Sequence, residues 1–280
     1  MAGKKRDKAR KIDDDALAEV YERALSLEKT GAYDEAAAAY RKLLALDPQD
    51  HGGVTVRMAS FGHGESPDKA PAPYVATLFD QHADIFDEVL VEQLGYAVPM
   101  MVRQILQARG LGPFDRLLDL GCGTGLTGSA LEDMVDDATG VDLSERMIEI
   151  ALERNVYDTL YVDEAISFLE EIEDDPWDLV TATDMLPYLG DLKPLFSGVA
   201  GKLVGNGIFV FSSETLPAEA LAGRPYKVGP HQRFAHDEAY IRSTLDMTGL
   251  DLLDLRNITV RMENGTPAPG HLIIARRRTS

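Results

Sequence analysis

The residues best placed to do chemistry lie in the run Arg116-Leu-Leu-Asp-Leu-Gly-Cys-Gly-Thr-Gly125. An apolar stretch ends in Asp119 and breaks into glycines at 121, 123 and 125. This is the pattern of a buried strand turning through a tight loop into a helix. Glycine leaves the backbone bare, so a ligand can come close to it. Seventeen residues after Gly125 a second apolar run, Ala138 to Val141, ends in Asp142. A glycine loop followed by an acid at the next strand end suits a nucleoside, whose ribose hydroxyls the acid accepts. The chemistry implied is the holding of a nucleoside cofactor.

Two such cofactors fit the spacing. Gly123-Thr-Gly125-Leu-Thr-Gly128 also matches the G-x-G-x-x-G pattern of dinucleotide sites, with Asp142 at a tolerable distance. Asp119 separates them, because a carboxylate two residues before the first glycine repels a pyrophosphate and suits the ammonium of a methionine moiety. Leu118 to Gly125 resembles the first motif of class I S-adenosylmethionine-dependent methyltransferases. Val141-Asp-Leu-Ser144, followed by a helix carrying Met147, resembles their second. The resemblance runs from about Tyr74 to the C-terminus. It implies that Asp119, Gly121, Gly123, Gly125, Asp142, Leu143 and Met147 bind S-adenosylmethionine. It also implies that an acid at the end of a third strand, Asp163 or Glu164, accepts from the adenine amino group. Glu164 is favoured because Ala165 follows it. The strand from Trp177 would bring Asp184, a further expected cofactor-binding residue, to the crevice.

Methyl transfer displaces a leaving group that is already activated, so much of the catalysis lies in holding the acceptor in line. A base is needed only where the acceptor's proton must leave early. After a fifth strand, Gly207 to Ser213, come Glu214, Tyr226, His231, Arg233 and His236. Arg233 is the expected carboxylate-binding group, and His236, with a pKa near neutrality, the expected base. The alternative is that His236 only precedes the helix Asp237 to Met247 and Arg233 pairs with a surface acid. Thr183-Asp-Met-Leu-Pro-Tyr188 is not the Asn-Pro-Pro-Tyr type of motif found in enzymes that methylate adenine or glutamine amides.

Positioning these residues calls for an α/β fold. It is expected to be Rossmann-like, a doubly wound, mostly parallel seven-stranded sheet with an antiparallel final strand. Leu252–Val260 and Gly270–Arg276 supply the last two strands. Ahead of it, Leu17 to Pro48 reads as two helices in which Gly31, Tyr33, Ala36, Tyr40 and Pro48 resemble a tetratricopeptide repeat. The expected organisation is a flexible basic tail (1–15), a tetratricopeptide-like helical segment (16–61), a Gly- and Pro-rich linker (62–73) and the catalytic domain (74–280). Leu78 to Asp87 resembles the N-terminal segment that folds over the cofactor as a lid in small-molecule methyltransferases. The combination resembles a bacterial family of predicted tetratricopeptide-containing methyltransferases.

The formal net charge of −19 and pI near 4.6 repel phosphate backbones over most of the surface, so nucleic acid is not an expected partner. The short basic cluster Lys4 to Lys11 does not reverse this. Cys122 is the only cysteine, so no internal disulfide forms. No signal-peptide pattern or apolar run of membrane length is seen, and the cytoplasm is the expected location. No metal is expected. The expected function is methyl transfer from S-adenosylmethionine to a small metabolite, the helical segment being either a surface for a protein partner or a plain hairpin that packs on the catalytic domain. The rivals are a protein methyltransferase recruited through that segment and a non-catalytic adapter that keeps the cofactor fold.

Overall fold

The computed structural model describes residues 14–279; the basic tail expected over 1–15 falls outside the described residues up to position 13. Three helices come first: α1 (Asp14–Lys29), α2 (Tyr33–Leu46) and α3 (Val54–Ser60). Gly31, at φ 77°, reverses the chain between α1 and α2. Ala24, Ala36 and Ala37 are buried around Tyr40 and Leu43, small side chains that let the two helices approach closely. Arg57 of α3 reaches back to Glu28 (3.0 Å), which also accepts from the Tyr40 hydroxyl (2.6 Å), so α3 closes the pair.

Residues 62–73, expected as a linker, are not a free tether. The Ala70 N–H donates to the Tyr188 carbonyl, and the Asp68 carbonyl accepts from Gly190 and Asp191, each at 2.8 Å. Val228 N–H donates to Ser66 Oγ at 3.1 Å. Val56 and Ala59 of α3 share a buried cluster with Ala70, Val75, Val228 and Phe234. The helical segment thus packs against the rest of the chain. Composition registers that this stretch lacks a helix or strand period; it does not register where the backbone hydrogen bonds go.

The sheet begins with β1 (Phe114–Leu120), β2 (Val135–Asp142), β3 (Thr159–Val162), β4 (Trp177–Ala182) and β5 (Leu203–Glu214), parallel and ordered β3-β2-β1-β4-β5. The stretch after β5 adds a hairpin of two short strands, β6 (Tyr226–Val228) and β7 (Phe234–His236), and β7 pairs with the end of β5 at Glu214. β8 (Leu250–Glu263) and β9 (Thr266–Arg277) turn at Asn264-Gly265, and β9 lies antiparallel between β5 and β8. The doubly wound sheet with its antiparallel final strand is as expected, but it has nine strands rather than seven.

Both faces of the sheet are covered, which is why its strands read as near-continuous apolar runs. Leu117, Leu179, Ile208, Val210 and Ile274 face α5 (Val98–Ala108) and α6 (Leu126–Leu131). Leu118, Val180, Phe209, Phe211 and Ile273 face α8 (Ala165–Glu171), α9 (Lys193–Lys202) and α11 (Glu238–Met247). α7 (Glu145–Arg154) links β2 to β3, and the single turn α10 (Ala218–Leu221) follows β5. α4 (Ala72–His82) and a π-helical turn, Glu88–Gln93, run over the ends of the strands.

Candidate active site

The C-terminal ends of β1 to β4 open on a cavity of about 980 Å³, its mouth included, roofed by α4 and the residues after it. It lies where neighbouring strands β1 and β4 send their connections to opposite sides, the crevice in which doubly wound sheets hold ligands. Gly121 (φ 67°) and Gly123 (φ 54°) form its floor. A Cβ on Gly121 would stand 2.8 Å from the Met185 side chain, so only glycine fits both the backbone angle and the space. Gly125 (φ 92°) starts α6 and is not on the cavity wall.

Asp142 ends β2 on the cavity wall beside Leu143. One carboxylate oxygen accepts the Gly123 N–H and the other the Ser144 N–H, both at 2.9 Å. These bonds fix its orientation and leave lone pairs for a ligand, since a carboxylate accepts about four hydrogen bonds. Burial pushes its carboxyl pKa up, against the pull of those two N–H groups. Met147 is fully buried, its N–H donates to the capping Ser144 Oγ (3.0 Å), and it does not reach the wall.

At the end of β3, Asp163 and Glu164 both line the cavity. Glu164 caps α8 through Ser167 (3.1 Å) and lies 3.4 Å from Lys69 Nζ. Asp163 Oδ1 accepts one bond, from the Glu164 N–H (2.7 Å). Glu164, favoured from the sequence, is therefore the more occupied of the two acids. Asp119 is 1 % exposed and does not line the cavity. Its oxygens accept from Thr181 and Tyr157, each at 2.7 Å. Burial outweighs those bonds and lifts its carboxyl to about 6. Strand alternation turns Asp119 under the glycine loop rather than out to a ligand's ammonium.

The roof is held by three aspartates on one face. Asp80 accepts from the Ser144 hydroxyl (2.6 Å), Asp84 pairs with Arg146 (2.6 Å), and Asp87 accepts from the Thr124 hydroxyl (2.6 Å) and pairs with Arg154. Ser144 and Thr124 belong to the loops that carry Asp142 and the glycines. Phe79, Phe86 and Tyr188 meet edge to face, with centroids 5.3–5.9 Å apart.

Beyond β4, Asp184 lines the cavity in a left-handed conformation, φ 55°. Its Oδ1 takes Arg233 at 2.5 Å. Arg233 also donates to Glu214 (2.7 Å) and Tyr188 (2.8 Å), and Arg261 pairs with Glu214. Burial leaves the Asp184 carboxyl above its ordinary range despite both arginines. Burial also acts upward on Glu214, but there the two arginines prevail and its pKa falls. Arg233, expected to bind an acceptor carboxylate, is engaged by these acids and does not line the cavity. His236, the expected base, is 0 % exposed on β7, donates from Nε2 to the Leu189 carbonyl (2.9 Å) and does not reach the cavity either. Burial lowers its pKa to about 4, so it is neutral near pH 7 and packs as an apolar ring stacked on Tyr240.

Tyr96, Thr183, Tyr188 and Met185 also line this end, and Arg261 completes the charge network. None stood out in the sequence as a site residue. Tyr96 was visible only as an aromatic after Gly95, and Arg261 is one of several charges alternating along β8. Among the described residues no group of three His, Cys, Asp or Glu side chains gathers at metal-binding spacing, and no helix is long and apolar enough to cross a membrane.

Residues 118–211 match the family model described as a methyltransferase domain. The chain is 29% identical over 140 residues to the ubiquinone biosynthesis O-methyltransferase of Paracidovorax citrulli, an overlap of 46% of this chain and 59% of that one. It spans 59–66% of the length of such curated relatives. Among solved structures, an S-adenosylmethionine-dependent methyltransferase from Clostridium acetobutylicum superposes with a TM-score of 0.52 at 18% identity, over 72% of this chain and all of that one. The magnesium protoporphyrin IX methyltransferase of Synechocystis PCC 6803, with S-adenosylhomocysteine bound, gives 0.50 at 19% identity over 64% and 82%. The match over residues 118–211, with the chain's own strand order and glycine loop, makes this region similar to class I S-adenosylmethionine-dependent methyltransferases.

Proposed function

We propose that the chain transfers a methyl group from S-adenosylmethionine to a small acceptor held under the α4 roof. The observation that carries this is Asp142. Its carboxylate is oriented by two backbone N–H groups, one of them from the glycine loop, and keeps acceptor capacity on the cavity wall. In this reading Asp142 takes the ribose hydroxyls, Leu143 packs on the adenine, and Asp163 accepts from the adenine amino group because Glu164 is engaged with Ser167 and Lys69. Gly121 and Gly123 leave room for the amino-acid end. Gly125 and Asp119 shape the loop from beneath it, and Met147 supports it from behind. When bound, the cofactor supplies a methyl carbon already activated by positive sulfur. The chain's contribution is to position the acceptor and exclude water.

Enclosure under α4 favours a small molecule over a protein side chain. The large apolar residues of α1 to α3 turn inward, Tyr33 and Leu46 excepted, which gives a protein substrate little to bind. We further propose that α1 to α3 form a single tetratricopeptide-like repeat, and that the protein works in the cytoplasm with no nucleic-acid partner. The lone cysteine and the charge of −19 support this. The test is incubation with isotopically labelled S-adenosylmethionine and a metabolite library, with mass detection, beside a lysate arm for proteins. A labelled small molecule is the expected outcome; label confined to protein would overturn the small-acceptor reading.

A further inference from the structure

The acceptor end of the cavity has an unusual charge balance. Lys69 is the only basic side chain on the wall among the described residues, and it stands at the β3 end against Glu164. Arg233 and Arg261 lie behind the wall, bonded to Asp184 and Glu214. Asp184 is the one carboxylate at this end that reaches the cavity. Around it stand Phe79, Phe86, Tyr96, Tyr188 and Met185, a lining of rings and a thioether. An anionic acceptor would meet a carboxylate and no free cation, in a low-dielectric enclosure where repulsion is strong. A flat apolar molecule would meet aromatic faces and edges.

We infer that Asp184 and Tyr96 read the methyl acceptor, and that the acceptor is a small, flat molecule without anionic groups, methylated on a ring-borne O–H or N–H. This rests on the methyl-transfer reading above. Arg233 holds Oδ1 of Asp184, which leaves Oδ2 to accept the acceptor's O–H or N–H. Tyr96 stands beside Thr183, and its phenol pKa is raised by burial and by Asp184, so it stays a protonated donor to the same atom. In the balanced step the acceptor's oxygen or nitrogen bonds to the methyl carbon. The carbon–sulfur bond breaks with its electron pair going to sulfur, which becomes a neutral thioether, and the acceptor's proton passes to Asp184. The raised carboxyl pKa of Asp184 favours that transfer.

The test uses full-length protein saturated with S-adenosylhomocysteine and titrated calorimetrically with 1-naphthol, 1-naphthylamine and 1-hydroxy-2-naphthoate. Naphthol or naphthylamine should bind at least about tenfold more tightly than the naphthoate, the equivalent of one misplaced charge, and the tighter of the two separates oxygen from nitrogen acceptors. Asp184→Asn, which keeps a residue tolerant of the left-handed conformation, and Tyr96→Phe should each weaken the neutral probe about threefold to tenfold, the worth of one hydrogen bond. S-adenosylhomocysteine affinity should stay within about twofold. If Asp184→Asn does not fold, Tyr96→Phe alone decides. Equal or tighter binding of the naphthoate, no binding of any probe, or an unchanged Tyr96→Phe would overturn the inference and leave the cofactor reading standing. Failure of the wild-type chain to bind S-adenosylhomocysteine would overturn both.

Discussion

Replacing Asp142 by alanine removes the acceptor of two backbone N–H groups and, in the proposed complex, of two ribose hydroxyls. Cofactor affinity should fall by ~2–4 kcal/mol, the range for deleting a charged hydrogen-bond partner in a buried setting. Calorimetry on a variant with unchanged circular dichroism checks this, and an unaltered affinity would remove Asp142 from the site. His236 yields a prediction of a different kind. Its pKa is about 4 in the folded chain against about 6.5 unfolded. The unfolded state therefore binds the extra proton between those values, and stability is full above pH 6.5 and declines as pH falls toward 4. Relative to His236→Gln, the wild-type chain should lose about 3 kcal/mol over that window. Asp119, lifted to about 6, acts in the opposite direction and cancels in the comparison. A flat difference in urea-unfolding free energy from pH 7 to 4 would mean that His236 is accessible to protons when folded. These residues also mark what the sequence discloses. The glycines and Asp142 were legible because a strand-to-loop break and an acid at the next strand end are local patterns. The burial of Arg233 and His236 was not, because it comes from a hairpin docked onto β5 and from Asp184, Glu214 and Leu189, each distant in sequence.

At the scale of elements, the roof, α4 and the turns after it, is pinned by Asp80, Asp84 and Asp87 to α7 and to the loops that carry Asp142 and the glycines. Asp87 and Arg154 are partly exposed, so the pair should contribute no more than about 1 kcal/mol. Arg154→Ala should accordingly speed S-adenosylhomocysteine release severalfold and make release less sensitive to salt than in the wild-type chain. Stopped-flow measurements at two ionic strengths check this; identical release rates would mean that the roof does not gate the site. The long strands were legible, since β1, β4 and β5 each carry a short apolar run (Leu117-Leu118, Leu179-Val180, Ile208 to Phe211) buried on both faces. β6 and β7 were missed because three-residue strands carry no period. The segment 62–73 reads as a linker because proline and glycine mark an irregular backbone, and where such a backbone makes its hydrogen bonds is not a local pattern.

The whole molecule joins α1–α3 to the catalytic sheet through the cluster of Val56, Ala59, Ala70, Val75, Val228 and Phe234. Deleting residues 1–60 strips Val56 and Ala59 from that cluster, a loss of roughly 2–4 kcal/mol of apolar burial. The truncated chain should melt about 5–10 °C lower, with α4 loosened because Val75 belongs to both. An unchanged melting temperature in scanning calorimetry would make the helical segment an independent body. The cofactor claim, on which the rest depends, is tested most directly by isothermal titration of the full chain with S-adenosylhomocysteine and, separately, with NAD. Binding of one equivalent of S-adenosylhomocysteine, abolished or strongly weakened by Asp142→Ala, with no heat from NAD, is the expected result. Heat from NAD with none from the adenosyl ligand would contradict it.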